Sequence, residues 1–322
     1  MVWATVTADS VRRIAAICGP TASGKSALAA ALRARGLPIE VVSCDALQVY
    51  QHLEAGTAKP SAAQRALVPT HLVDVVEPTL TMSAGQWAAL AQTTVSDIAA
   101  RGAWPLVVGG TGLYFRALTR GLAEIPPIEL GLRRELTERW HGSGGAELHA
   151  QLQAVDPDYA AQTPVANRQR VTRALEVFLA TGKTLSAWHR EQLPSQLSCI
   201  LVVLEPDPAL LARAIADRAA AMAAPLVAEV TALLAAGLSP MAPAMQALGY
   251  RDAVEVAMGR ASGRDFAARL ALAHQHYAKR QRTWFRSESA ALRLQPEAGD
   301  TEDRLATALT AWFTPNKGTV DD

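Results

Sequence analysis

Four short runs of apolar, largely β-branched residues recur along the chain: "IAAIC" at 14–18, "IEVVSC" at 39–44, "PLVVGG" at 105–110 and "CILVVLEP" at 199–206. They lack the strict apolar-polar alternation of a half-solvated strand, so each reads as a strand buried on both faces. Helical stretches lie between them, and that alternation predicts βαβ units and a parallel sheet covered by helices on both sides, an α/β fold. The best-marked helix spans 83–101. Ser83 and Gln86 have capping-box spacing at its start, and Gly102 can take the left-handed closing position.

From about 121 to 198 the pattern changes. Pro126, Pro127, Pro157 and Pro164 punctuate helix-like stretches with no buried strand among them, and the sheet signal resumes at Cys199. The expected organisation is an α/β core in two parts, 1–120 and 199–315, interrupted by a helical insertion at 121–198 and followed by a frayed tail at 316–322. In the insertion, "NRQRVTRALEVFLATGKT" predicts a helix with Val171, Leu175 and Phe178 on its inner face and Gly182 past its end.

Composition changes this picture little. At 322 residues and 50% hydrophobic, the chain can fill a core of this size. Its net charge of +1 supplies no global field for a polyanion, so any RNA surface must come from local clusters. Cys18, Cys44 and Cys199 lie in or beside apolar runs with no CxxC spacing and read as reduced core thiols of a cytosolic protein. The N-terminus has no signal-peptide pattern, and no run of about 18 uncharged apolar residues suggests a membrane span.

The chemistry starts at "GPTASGKS", which fits the phosphate-cradling pattern GxxxxGK[ST] between the first strand and a helix. This makes the core P-loop NTPase-like. In such a loop Gly19, Pro20, Thr21, Ala22, Ser23 and Gly24 turn backbone amides toward a diphosphate, Lys25 neutralises it, and the Ser26 hydroxyl is placed to hold Mg2+. The loop reads phosphates and not a base. A kinase would usually offer a metal-holding Asp at a strand end, yet "PLVVGG" ends in glycines while "VVSCD" ends in Asp45. On the residues alone, Asp45 has two open roles, Mg2+ support or proton acceptor.

Read together, "GPTASGKS", "SCDALQVYQHLEAGTAKP", "LVVGGTGLY", "RALEVFLATGKTLS", "LGYRD" and "YAKRQRTWFR" run in order over roughly 15–290 and resemble the bacterial tRNA dimethylallyltransferases. The resemblance implies that the bound compound is dimethylallyl diphosphate. It also implies that the acceptor is the N6 amine of adenosine 37, beside the anticodon, and that pyrophosphate leaves. It assigns the base to Asp45, a diphosphate contact to Thr111, and a further cation to Arg218, although Arg213 lies nearby. For the tRNA anticodon stem-loop it points to Asp45, Ala46, Leu47, Gln48 and Thr111, to Arg133, and to the "QRVTR" run of Gln169, Arg170, Val171, Thr172 and Arg173. A further turn joins these: Gln246, Ala247, Leu248, Gly249, Tyr250 and Arg251.

Two local patterns suit an RNA partner. Arg170 and Arg173 are spaced to share a helical face in the insertion, and Arg168 lies beside them. From Phe266 to Ser287 there is no acid, and Arg269, Lys279, Arg280, Arg282 and Arg286 interleave with Tyr277, Trp284 and Phe285. The expectation there is aromatics inward and cations outward. The chain departs from the family at Ala46 (a serine in the usual "DS"), at Ala166-Asn167 (usually "ND"), at His274-Gln275 (often Thr-Arg), and in a shortened 222–230 loop without glycine. No heptad calls for self-association, so a monomer is expected. The rival readings are a prenyltransferase of free adenine nucleotides, a small-molecule kinase, and an RNA-binding protein with a merely structural loop.

Overall fold

A computed structural model describes residues 13–314; the frayed tail expected at 316–322, and the N-terminal stretch read for a signal peptide up to residue 12, lie outside the described residues. Strand β1 (Arg13–Cys18) leads through the glycine loop into helix α1 (Lys25–Ala34). Then come β2 (Ile39–Cys44), α2 (Ala62–Leu67), β3 (Thr70–His71), α3 (Ala84–Ala100), β4 (Trp104–Gly109) and α4 (Gly112–Arg120). Five helices follow: α5 (Leu130–Ser143), α6 (Gly145–Val155), α7 (Pro157–Ala161), α8 (Arg168–Thr181) and α9 (Leu185–Arg190). The chain returns as β5 (Ser198–Leu204), α10 (Pro208–Ala235), α11 (Tyr250–Ala257), α12 (Phe266–Arg286), β6 (Leu292–Leu294) and α13 (Thr301–Phe313). These elements make two compact units, one of the residues up to Thr119 with those from Gln196 onward, the other Arg120–Ser195.

The first unit is built on one sheet in the order β3-β2-β4-β1-β5-β6, every pair parallel. β1 sits between β4 and β5, buried on both faces as its unalternating sequence requires. Ala15 and Ile17 pack with Leu28 and Leu32 of α1 and with Leu305 and Leu309 of α13. On the other side Trp87 of α3 is fully buried, stacks on Tyr114 at 4.8 Å and donates from Nε1 to the Ser43 carbonyl at 3.2 Å. The loops after β1, β2 and β4 therefore leave one carboxyl edge of the sheet, where open α/β sheets take their ligands.

The capping box forms at α3: Ser83 Oγ accepts from the Gln86 amide at 3.2 Å, and Gln86 Oε1 from the Ser83 amide at 2.9 Å. Edge strands β3 and β6 have no counterpart in the sequence reading. With two and three residues they are too short to show a period, and ladders with β2 and β5 hold them. The expected 222–230 loop is corrected as well. That segment is the middle of α10, which runs unbroken through Pro225 because Leu211, Ile215, Ala219, Met222, Leu226 and Val230 form one buried stripe against α11 and α12. Among the described residues α10 alone has the length and apolarity of a membrane span.

In the second unit α5–α9 close around Leu136, Leu148, Leu152, Val171, Leu175 and Leu185. Asn167 caps α8 by accepting from the Arg170 amide at 3.2 Å, and Gly182 ends it at φ 69°. The inner face of α8 is Val171, Ala174, Leu175 and Val177, with Phe178 only half-buried at its rim.

Candidate active site

The glycine loop carries left-handed backbone at Ala22 (φ 62°) and Gly24 (φ 80°). Gly24 adopts that conformation without cost; Ala22 holds it against a preference of roughly 1 kcal/mol, the kind of strain that surrounding structure must impose. α1 starts at Lys25 with no side-chain cap, so its first amides are free to meet an anion. Lys25 Nζ turns inward and donates to the carbonyls of Gly19 (3.1 Å) and Pro20 (2.5 Å). Burial pushes its pKa down to about 8, against the opposing pull of Cys18 and Asp45.

Lys25 opens on a cavity of about 250 Å³ whose walls also include Ser26, Asp45, Gln48, Arg218 and Gln281. Asp45 ends β2, and its Oδ1 accepts from the amides of Leu47 (2.8 Å) and Gln48 (3.4 Å), which fixes the carboxylate against its own turn. Thr111 reaches the same turn from β4. Its amide donates to the Cys44 carbonyl at 3.1 Å, and its Oγ1 accepts from the Ala46 amide at 3.0 Å. Gln48 donates to the carbonyls of Thr57 (3.2 Å) and Ala58 (3.3 Å), two further wall residues.

The structure separates the two candidate cations. Arg218 lines the cavity, burial lowers its pKa while Asp45 raises it, and its Nε is buried with no protein partner. Arg213 is 83% exposed at its side chain and faces Asp217 at 3.9 Å. His274 packs in the core with its pKa pushed down to about 4 by burial and by Arg218. The three cysteines are free thiols, Cys18 and Cys44 buried and Cys199 half-buried; burial raises all three pKa values, that of Cys199 to about 12.

The residues that the resemblance assigned to RNA divide by exposure. In the first unit Gln246 and Arg251 are exposed, Ala46, Leu47, Ala247 and Leu248 are half-buried, and Gly249 is buried. Tyr250 is fully buried, and its hydroxyl donates to Glu229 Oε1 at 2.8 Å while accepting from the Gly56 amide at 3.1 Å. Glu229 Oε2 also accepts from the amides of Glu54 and Ala55, both at 2.8 Å, so α10 and α11 together pin the loop that leads to Thr57 and Ala58. In the second unit Arg133 and Gln169 are exposed and Thr172 half-buried, while Val171 is fully buried. Arg133 (3.0 Å) and Arg173 (3.1 Å) both donate to the buried Glu176, and Arg170 lies 5.0 Å over the Tyr159 ring. Arg170 and Arg173 thus engage different partners.

On α12 the inner face is Phe266, Leu270, His274, Ala278, Gln281 and Phe285, with Lys279, Arg280, Arg282 and Arg286 exposed. Of Tyr277, Trp284 and Phe285, Phe285 is core; Tyr277 and Trp284 are half-buried, with Arg280 and Arg116 over their rings at 5.6 and 4.3 Å. Glu229 and Gln281 were missed by the sequence reading: Glu229 lies in no motif, Gln281 lies inside "YAKRQRTWFR", where only its basic and aromatic neighbours were read, and both have partners remote in the chain.

The sequence matches the family profile "IPP transferase" over residues 48–288 and "Isopentenyl transferase" over 12–71. It is 42% identical to a tRNA dimethylallyltransferase of Stenotrophomonas maltophilia, over 92% of this chain and 96% of the relative. It is 46% identical to one of Methylibium petroleiphilum, over 84% and 85%. The crystal structure of the full-length tRNA isopentenylpyrophosphate transferase of Bacillus halodurans superposes with a TM-score of 0.68 at 30% identity, covering 94% of this chain and 97% of the other. With the glycine loop, Asp45, Thr111 and Arg218 gathered at the carboxyl edge of a parallel sheet, the chain belongs to the IPP transferase family of tRNA dimethylallyltransferases.

Proposed function

We propose that this chain, acting as a monomer in the cytoplasm, transfers the dimethylallyl group of dimethylallyl diphosphate to the N6 amine of adenosine 37 of a tRNA and releases pyrophosphate. The observation that carries the reading is one cavity with Lys25 and Arg218 as cations and Asp45 as a carboxylate. As the allylic C–O bond breaks, negative charge grows on the departing diphosphate, where the loop amides, Lys25 and Arg218 stabilise it. The N6 lone pair forms the new N–C bond, and the alkylated amine, now strongly acidic, gives its proton to the Asp45 carboxylate. Thr111 positions this turn through the Ala46 amide and stands where the family contacts the diphosphate. An adenosine inside a stacked loop cannot reach such a cavity, so the base is flipped out of the stack.

Mg2+ fits the donor set. The Ser26 hydroxyl is a hard oxygen donor on the cavity, next to the loop that would hold the diphosphate. When bound, the ion would neutralise charge on the leaving diphosphate.

The depressed Lys25 pKa gives a pH signature. Its ammonium is present in the free protein below about 8 and lost above it. kcat/KM for dimethylallyl diphosphate, which reports the free enzyme, is therefore expected to be flat below that value and to fall on the alkaline side, with Lys25→Met removing the limb. The function itself is tested by mass spectrometry after incubation of the protein with Mg2+, dimethylallyl diphosphate and either an anticodon stem-loop with adenosine 3′ of the anticodon or AMP. One five-carbon prenyl unit added to the stem-loop alone is expected. Prenylated AMP would establish the free-nucleotide reading, and a phosphorylated product formed from ATP the kinase reading.

A further inference from the structure

Gln281 is a buried polar side chain of the cavity to which the proposed reaction assigns no role. It lies on the inner face of α12 and is 5% exposed. Both ends of its amide are engaged. Oε1 accepts from the Thr21 amide at 2.8 Å, inside the glycine loop, and Nε2 donates to the Gly110 carbonyl at 2.9 Å, in the loop that follows β4. The opposite polarity of these partners fixes which way the amide points. A Cβ at position 110 would stand 2.0 Å from Nε2, so glycine there is what admits the side chain.

We propose that Gln281 is a positioning residue for the prenyl diphosphate, a role that rests on the function given above. It grips the loop at Thr21, directly before the left-handed turn at Ala22, a backbone conformation that persists only where neighbours enforce it. It also commits the Thr21 amide, so that the anion is met by the amides that follow. At its other end it holds Gly110, the residue before Thr111, so one side chain sets the spacing between the diphosphate loop and the Thr111 turn. Preorganisation of this kind acts first on donor binding, since the loop gripped at Thr21 is the phosphate cradle itself.

The test compares Gln281→Met, similar in volume with no amide, with Gln281→Asn, the same amide on a shorter arm. Titration calorimetry reads dimethylallyl diphosphate and pyrophosphate affinity in the presence of Mg2+, and steady-state kinetics read KM and kcat, at a temperature well below each melting transition. For Gln281→Met the donor KM and both dissociation constants are expected to rise together by about tenfold or more, with kcat at saturating donor and stem-loop affinity within about twofold of wild type. Gln281→Asn should fall between, because it reaches one partner only. Gly110→Ala, whose Cβ would displace the amide and also press on the Gly19 carbonyl 2.9 Å away, should weaken donor binding at least as much and serves if the Met variant does not fold. Unchanged diphosphate affinity in a folded Gln281→Met or Gly110→Ala protein would overturn the proposal, as would an equal loss of stem-loop affinity, which signals general disruption. Because calorimetry needs no acceptor, a protein that binds the donor but prenylates no RNA would refute the function while leaving the role of Gln281 measurable.

Discussion

Replacing Asp45 by asparagine is expected to slow prenyl transfer at saturating substrates by about 10³-fold while leaving prenyl diphosphate affinity within a factor of about three, the range that loss of a positioned general base commands. Asparagine is the informative change because Asp45 has two functions. Its Oδ1 accepts from the amides of Leu47 and Gln48, and an asparagine carbonyl can still do so. What the amide cannot do is take a proton from the alkylated amine. Asp45→Ala loses both, so it should be at least as slow and also less stable, by about 1–2 kcal/mol for the unpartnered turn amides. Donor affinity changes little at neutral pH because two effects oppose. Removing the carboxylate relieves repulsion of the diphosphate, but it also withdraws a charge that supports the protonated forms of Lys25 and Arg218. Single-turnover quench-flow with a stem-loop substrate measures the chemical step, and an Asp45→Asn rate within threefold of wild type would remove the carboxylate from it.

The second large effect is expected at Arg218. Arg218→Gln should lower kcat by about 10²–10³-fold, as losing one preorganised donor to a developing oxyanion typically does, with a smaller rise in donor KM. The guanidinium lines the cavity with its Nε buried and unpaired by protein, so its charge is available where the leaving group gathers negative charge. Removing a donor that matters more to the departing diphosphate than to the bound one is felt mainly in kcat. Arg213→Gln is the control. That side chain is 83% exposed and faces only Asp217, so the rate should stay within about twofold, as for ordinary surface charges. Equal losses at both positions would mean that long-range charge, and not an aimed donor, carries the effect.

Much of this site was legible in the sequence because its signals are local. A strand that lacks alternation, a glycine-rich run, a Lys-Ser pair and a capping box each depend on residues a few positions apart, and each forms as read: β1 into the loop into α1, Ser83 with Gln86, and Asp45 at the end of β2. The helical character of 121–198 was legible for the same reason, since proline punctuation and a 3.6-residue period need no distant partner.

The tertiary structure decided everything that needs one. It chose Arg218 over Arg213, two arginines five positions apart whose sequence surroundings are alike, because only one faces the cavity. It turned Val171 and Tyr250 inward, onto the buried faces of their helices. It ran α10 through Pro225 because one buried stripe continues past the proline. It also supplied Glu229 and Gln281, whose hydrogen-bond partners lie 175, 260 and 171 residues away along the chain. The sequence determined which elements form and which chemistry sits at their ends, because those depend on neighbours in the chain. Which side chains converge is settled only when the sheet closes, because a hydrogen bond acts over about 3 Å whatever the separation in sequence.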